Sequence, residues 1–197
     1  MLSRDSILDA GLEILDEGGP QALSMRVLAR RLGVTATAIY YHYSGRDEIL
    51  ESVVDHVCTR IIEPVPADGA WDDRLRALMT AMVDQASAHP EVVTWTITSF
   101  AKRRPVLRIH ELILAILHGA GFDPATAMEV KGALLRFAVG HLTLRGAAPG
   151  TNWRQLPKRE FPEHWAAGDA IDKFDTEANF RAGIDALLGG FPPPATP

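Results

Sequence analysis

Three residues, Ala29, Gly33 and Ile39, limit the fold of this chain more than any others. They lie in LARRLGVTATAIYYHYSGRDEIL, Leu28 to Leu50, with Leu28, Leu32 and Val34 at the intervening apolar positions. Two short helices that cross steeply need a small residue where they touch, which Ala29 supplies. They need tolerance of positive φ at the bend, which Gly33 supplies, and an inward aliphatic to pin the second helix, which Ile39 supplies. This set describes a helix-turn-helix. Its second helix, Thr35 to Tyr41, is then the one that enters a DNA major groove, N-terminus first.

The side chains on that second helix suit the task. Thr35, Ala36 and Thr37 offer methyls and hydroxyls small enough to approach base edges and thymine methyl groups. Tyr40, Tyr41 and His42 follow with groups suited to phosphate oxygens. Charge agrees. Residues 21–46 hold Arg26, Arg30, Arg31 and Arg46 and no acid, a charge of +4, while the rest carries sixteen basic and twenty-five acidic residues, a charge of −9. A basic island on an acidic body is the footprint of a phosphate-binding face.

Elsewhere every long segment shows helical spacing and none alternates. Ile7, Leu8, Leu12, Ile14 and Leu15 predict a first helix that Gly18-Gly19 and Pro20 end. Ser24 and Thr35 are predicted N-caps. A connector helix spans 46–62, and EPVPADGA, Glu63 to Ala70, is the predicted hinge. Further helices are expected near 71–88, 90–100, 105–118, 125–144 and 176–188, with a loop from Arg145 to Pro162 and an unstructured tail from Gly189. The expected architecture is all-α, with about nine or ten helices. Residues 1–46 form the DNA-binding domain and 63–197 a helical ligand-binding and dimerisation domain.

Residues 4–60 resemble the N-terminal domain of tetracycline-repressor-type (TetR family) transcriptional regulators through ILDAGLEILDEGG, ALSMRVLARRLGV and AIYYHYSGRDEIL. The resemblance implies a homodimeric repressor that binds a palindromic double-stranded DNA operator and releases it on binding a small molecule. It implies operator contacts from Thr37, Tyr40, Tyr41 and His42, a base or phosphate contact from Arg26, and a phosphate contact from Arg46. Ser24 completes the expected DNA-binding set. It also implies a dimer interface formed by residues 125–144 and 176–188.

The later segments RRP at Arg103, GAGFDPATA, AVGHLTL and FRAGIDALLGG are similar to the tetracycline-repressor branch. The metal-binding histidine before RP is not matched, since Phe100 to Lys102 stand there, and Ala148-Pro149 replaces the acidic partner. His141 alone is retained. The expected effector is therefore a mostly apolar small molecule without metal or cofactor. Trp95, Phe100, His110, Phe137 and His141 are the candidate lining, and VVTWTITSF interleaves threonines with bulky apolar residues as a pocket wall would.

Other classes find little support. HELIL at His110 lacks the second histidine of a zinc-protease helix. No phosphate loop, nucleophile elbow or CxxC pair occurs, so no enzymatic activity is expected. Constitutive DNA binding without a ligand is the alternative, and an enzyme carrying a helix-turn-helix a remote one. Cys58 is the sole cysteine and is expected as a small core residue. The charged N-terminus and the lack of ~18 consecutive uncharged apolar residues predict a cytoplasmic protein without a membrane partner.

Overall fold

Capping chemistry within a few residues sets most helix boundaries. The computed structural model describes residues 2–98, 104–144 and 152–191. These form α1 (Arg4–Ala22), α2 (Met25–Leu32), α3 (Ala36–Tyr40), α4 (Arg46–Ile62), α5 (Trp71–Ala88) and α6 (Pro90–Thr98). Then come α7 (Arg104–Gly119), α8 (Pro124–Leu144), α9 (Pro162–Asp172) and α10 (Thr176–Gly190), with a 3-10 turn over Trp153–Gln155. No strand occurs among the described residues. Ser24 and Thr35 cap α2 and α3, accepting from the N–H groups of Val27 and Ala38. Asp123 accepts from Ala125 (2.9 Å) and Thr126 (3.2 Å) at the start of α8.

Gly33 ends α2 at φ 66°, donating to the Arg30 carbonyl at 3.3 Å while Val34 donates to the Ala29 carbonyl at 3.0 Å. That pair of bonds is the usual left-handed helix stop. Leu28, Ala29 and Ile39 are buried together beneath it, with α1 and α4. At Gly18-Gly19 the predicted end of α1 is a kink, Gly19 taking φ 66°, followed by one more turn through Ala22.

The N-terminal helices and the rest of the chain share one core. α1 lies against α4 at Gly11, where a Cβ would stand in van der Waals contact with Ile49 and Val53 at 3.4 Å. Farther along, α1 packs on α6 and α4 packs on α5 and α7. His89 Nδ1 lies 2.7 Å from Asp16, joining the α5–α6 corner to α1. Within the body α5, α7 and α8 pack on one another, and α10 packs on α5 and α8. Phe137 of α8 stacks on Phe180 of α10 at 5.5 Å. Arg76 of α5 donates to Asp185 of α10 at 2.6 Å.

Two expectations need correction. The predicted loop runs to Pro162 and no helix was expected before Thr176, yet a 3-10 turn and α9 occupy much of this stretch; residues 145–151 lie outside the described residues. Long-range aromatic contacts order it: Trp153 sits edge-to-face on Trp165 at 5.0 Å, covers Gly168, and donates to Asp172 at 3.0 Å. The predicted tail also begins too early, because Gly189 and Gly190 close α10; residues 192–197 lie outside the described residues.

A methyl group on Gly183 of α10 would overlap the Phe137 ring. Gly183→Ala should therefore destabilise the chain by about 1–3 kcal/mol, read as a lower urea midpoint at unchanged slope.

Candidate functional site

Three exposed side chains share one face of α3. Thr37, Tyr40 and Tyr41 stand at i, i+3 and i+4, and Tyr40 and Tyr41 are 54% and 86% exposed. Ile39, on the opposite side, is fully buried and pins the helix. Thr35 is exposed, and Ala36 and His42 are half-buried. Tyr43 behaves differently: it is buried, with the Arg4 guanidinium 4.2 Å above its ring. Arg4 also pairs with Glu48 at 3.0 Å, and Glu48 accepts from the Ser44 N–H at 2.6 Å. The Ser44 backbone and hydroxyl, then Arg4, hold Glu48 below the usual carboxylate range.

The arginines of the basic island divide. Arg26 and Arg30 are exposed and make no ion pair among the described residues. Arg31 turns back to α1, donating to Glu13 at 3.0 Å and to Glu17. Arg46 donates from Nε to the Leu23 carbonyl (2.9 Å) and from Nη2 to the Pro20 carbonyl (2.6 Å), clasping the end of α1 to the start of α4. Ser24 is half-buried, and its hydroxyl serves as the α2 cap. The backbone partners of Arg46 lie more than twenty residues earlier in the chain, which no local pattern announces.

Behind α4 lies an apolar cavity of about 120 Å³. One wall is Val54, Val57, Cys58 and Ile61, a single stripe of α4. The other walls come from α5 (Met82), α6 (Val93, Thr96), α7 (Val106, Ile109, His110) and α8 (Leu135, Val139, Leu142). Burial pushes the Cys58 thiol up to about 12. Burial first, then Lys131, lowers the His110 pKa.

Of the five predicted lining residues, the structure brings His110 to this cavity. Phe137 and His141 instead meet Phe180 of α10, with the His141 ring 4.5 Å from it. Trp95 is half-buried against the core, and Phe100 lies outside the described residues. The α4 wall has a plain i, i+3, i+4, i+7 spacing in the sequence, which marks a buried face without marking a cavity. A larger open cleft of about 670 Å³ between α1, α4 and α7 carries both signs of charge. Across it Arg108 of α7 pairs with Asp55 of α4 and donates to Thr59 at 3.4 Å. Among the described residues no cluster of three metal-ligating side chains occurs, and no helix is long and apolar enough to cross a membrane.

Comparison with known proteins agrees with this arrangement. Residues 7–53 match the family described as bacterial regulatory proteins, tetR family. The class C tetracycline repressor protein of Escherichia coli is 33% identical, over 96% of this chain and 90% of its own. The transcriptional regulator SCO7222, a TetR from Streptomyces coelicolor, superposes with a TM-score of 0.80 at 28% identity, covering 96% of this chain and 97% of that one. The TetR family protein ActR of Streptomyces coelicolor, solved in complex with actinorhodin, gives 0.71 at 25% identity, covering 96% of both chains. The chain belongs to the tetR family of bacterial regulatory proteins. It is a DNA-binding transcriptional regulator.

Two substitutions separate anchoring from exposure. Arg46→Ala should cost roughly 1–2 kcal/mol in urea unfolding, because two charged hydrogen bonds to backbone carbonyls are lost at a partly exposed site. Tyr41→Ala should change stability by less than about 0.5 kcal/mol while weakening DNA binding. The thiol offers a second check. At pH 8 Cys58 should react with a thiol reagent far more slowly in the native chain than in guanidinium, since it stays protonated well above that pH.

Proposed function

We propose that this chain is a ligand-responsive repressor: a homodimer that holds a near-palindromic operator and releases it when a mostly apolar small molecule occupies the cavity behind α4. In this reading residues 1–46 form the DNA-binding domain, α4 is the connector, and residues 63–197 form the effector-binding and dimerisation domain. Thr35, Ala36 and Thr37 meet base edges. Arg26, Tyr40, Tyr41 and His42 contact bases or phosphates, with Ser24 and Arg46 at the edge of the same face.

One observation carries the reading. The cavity takes one wall from α4, whose first residues adjoin the helix-turn-helix, and the others from the four helices of the body. A molecule there touches the connector and the body at once, so it can favour one head position over another. The ActR complex with actinorhodin supports a small-molecule effector. A hundredfold loss of operator affinity requires about 2.7 kcal/mol of such coupling.

Dimerisation is assigned to α8 and α10 with their symmetry mates. Met128 and Leu144 of α8 and Phe174 beside α10 are large apolar side chains left exposed in the single chain, which supports burial against a second copy. Two recognition helices then address half-sites about 34–36 Å apart.

Light scattering should show a dimer at micromolar concentration, and operator affinity should fall steeply with salt as phosphate contacts release counterions. A library of apolar compounds, read by melting temperature and operator release together, tests the switch. Compounds that raise the melting temperature without weakening operator binding would refute it.

A further inference from the structure

We infer that the effector is a neutral molecule about the size of one ring, carrying a single hydrogen-bonding group, and that His110 selects it. This rests on reading the cavity as the effector site, and deepens it. Size comes first. The cavity holds about 120 Å³. Drug-sized ligands occupy pockets of roughly 300–1,000 Å³, whereas a dry apolar cavity of about 150 Å³ in another protein accepts benzene. A fused polycyclic molecule does not fit these walls as they stand; a substituted single ring does.

Chemistry narrows the class further. Among the described residues of the lining Thr96 and His110 are polar, and the other eleven are aliphatic or sulfur-bearing. Thr96 donates its hydroxyl proton to the Val92 carbonyl of its own helix at 2.7 Å. His110 makes no hydrogen bond to any described residue, and its lowered pKa leaves the imidazole neutral. A neutral imidazole has one N–H and one lone pair, so it accepts from a hydroxyl or donates to a carbonyl. Among the described residues no charged side chain lines the cavity, Lys131 acting on His110 from outside that lining. An anionic or cationic ligand would therefore lose its hydration without a partner. The protonated Cys58 is a passive wall and forms no covalent bond with the occupant.

Full-length protein is titrated with toluene, p-cresol, benzoate and minocycline, by calorimetry and by operator release from a fluorescent duplex at pH 7.5. p-Cresol should bind about tenfold more tightly than toluene, the worth of one net hydrogen bond. Benzoate should bind at least about a hundredfold more weakly than p-cresol, and both neutral probes should weaken operator binding. In His110→Leu the two neutral probes should bind within about threefold of each other, and His110→Gln, which keeps a donor and an acceptor, should restore part of the p-cresol preference. Persistence of that preference in His110→Leu would overturn the role of His110. Should that variant not fold, the ranking of the four probes on the parent decides. Release by benzoate or minocycline but not by the neutral probes would overturn the inferred class and leave the effector reading standing. If none of the four binds, the inferred class is overturned; if a wider screen then also fails to move operator affinity, the effector reading falls with it.

Discussion

Everything in this chain hangs on the two-sided packing of α4. One face, Ile49 and Val53, lies against α1 at Gly11. The next, Val54, Val57, Cys58 and Ile61, looks into the body. A helix buried on two sides moves only if both contacts adjust, because close-packed interiors are not continuously deformable. The contact with the body contains a void, so the side that faces α5 to α8 has room to adjust. In the proposed switch that void gives the cavity its leverage: a molecule filling it shifts α4 against the body while α1, α2 and α3 follow as a unit.

The stiffness of that unit has named sources. Arg46 ties α4 to the carbonyls at the end of α1, Arg31 ties α2 to Glu13 and Glu17, and Arg4 ties the start of α1 to Glu48. The ion pairs are exposed and individually weak, but together they join α1, α2 and α4 at separate points. They also sort the basic island. Arginines that look alike in sequence become fasteners (Arg31, Arg46) or exposed cations (Arg26, Arg30), and the exposed pair stands beside a recognition helix that bears no acid.

The features legible in the sequence are those whose cause is local. Ser24, Gly33 and Thr35 act within about four residues, and the structure places them at the predicted boundaries. The same holds for Ala29 and Ile39, whose spacing encodes the helix-turn-helix. What the sequence hides depends on partners far away. α9 owes its order to Trp153 meeting Trp165 and Gly168 rather than to any apolar stripe of its own. On α8, Leu135, Val139 and Leu142 face the cavity while Phe137 and His141 face α10, and apolar residues on both sides blur the periodicity that would have told them apart. His110 was legible as a lone polar residue on the apolar side of its helix, which is also its position in the cavity.

The N-terminal unit is held to the body where α1 meets α6 and where α4 meets α5 and α7, and two of these seams differ in a way that bears on the proposed switch. At the first, α1 packs along α6 and His89 meets Asp16 in a half-buried contact. At the second, α4 packs on α7, with Arg108 reaching Asp55 and Thr59 across an open cleft. Exposed charge pairs exchange partners at little cost, whereas a packed seam slides only by repacking. In that switch a molecule that pushes α4 away from α8 works against the packing of α4 on α5 and α7, where the exposed charge pair yields readily, and leaves the α1–α6 seam as the pivot. Rotation about that pivot carries α3 sideways, and in a dimer the two displacements are opposed by symmetry. In the proposed switch, half-site spacing, rather than the shape of either recognition helix, is then the quantity that the cavity controls.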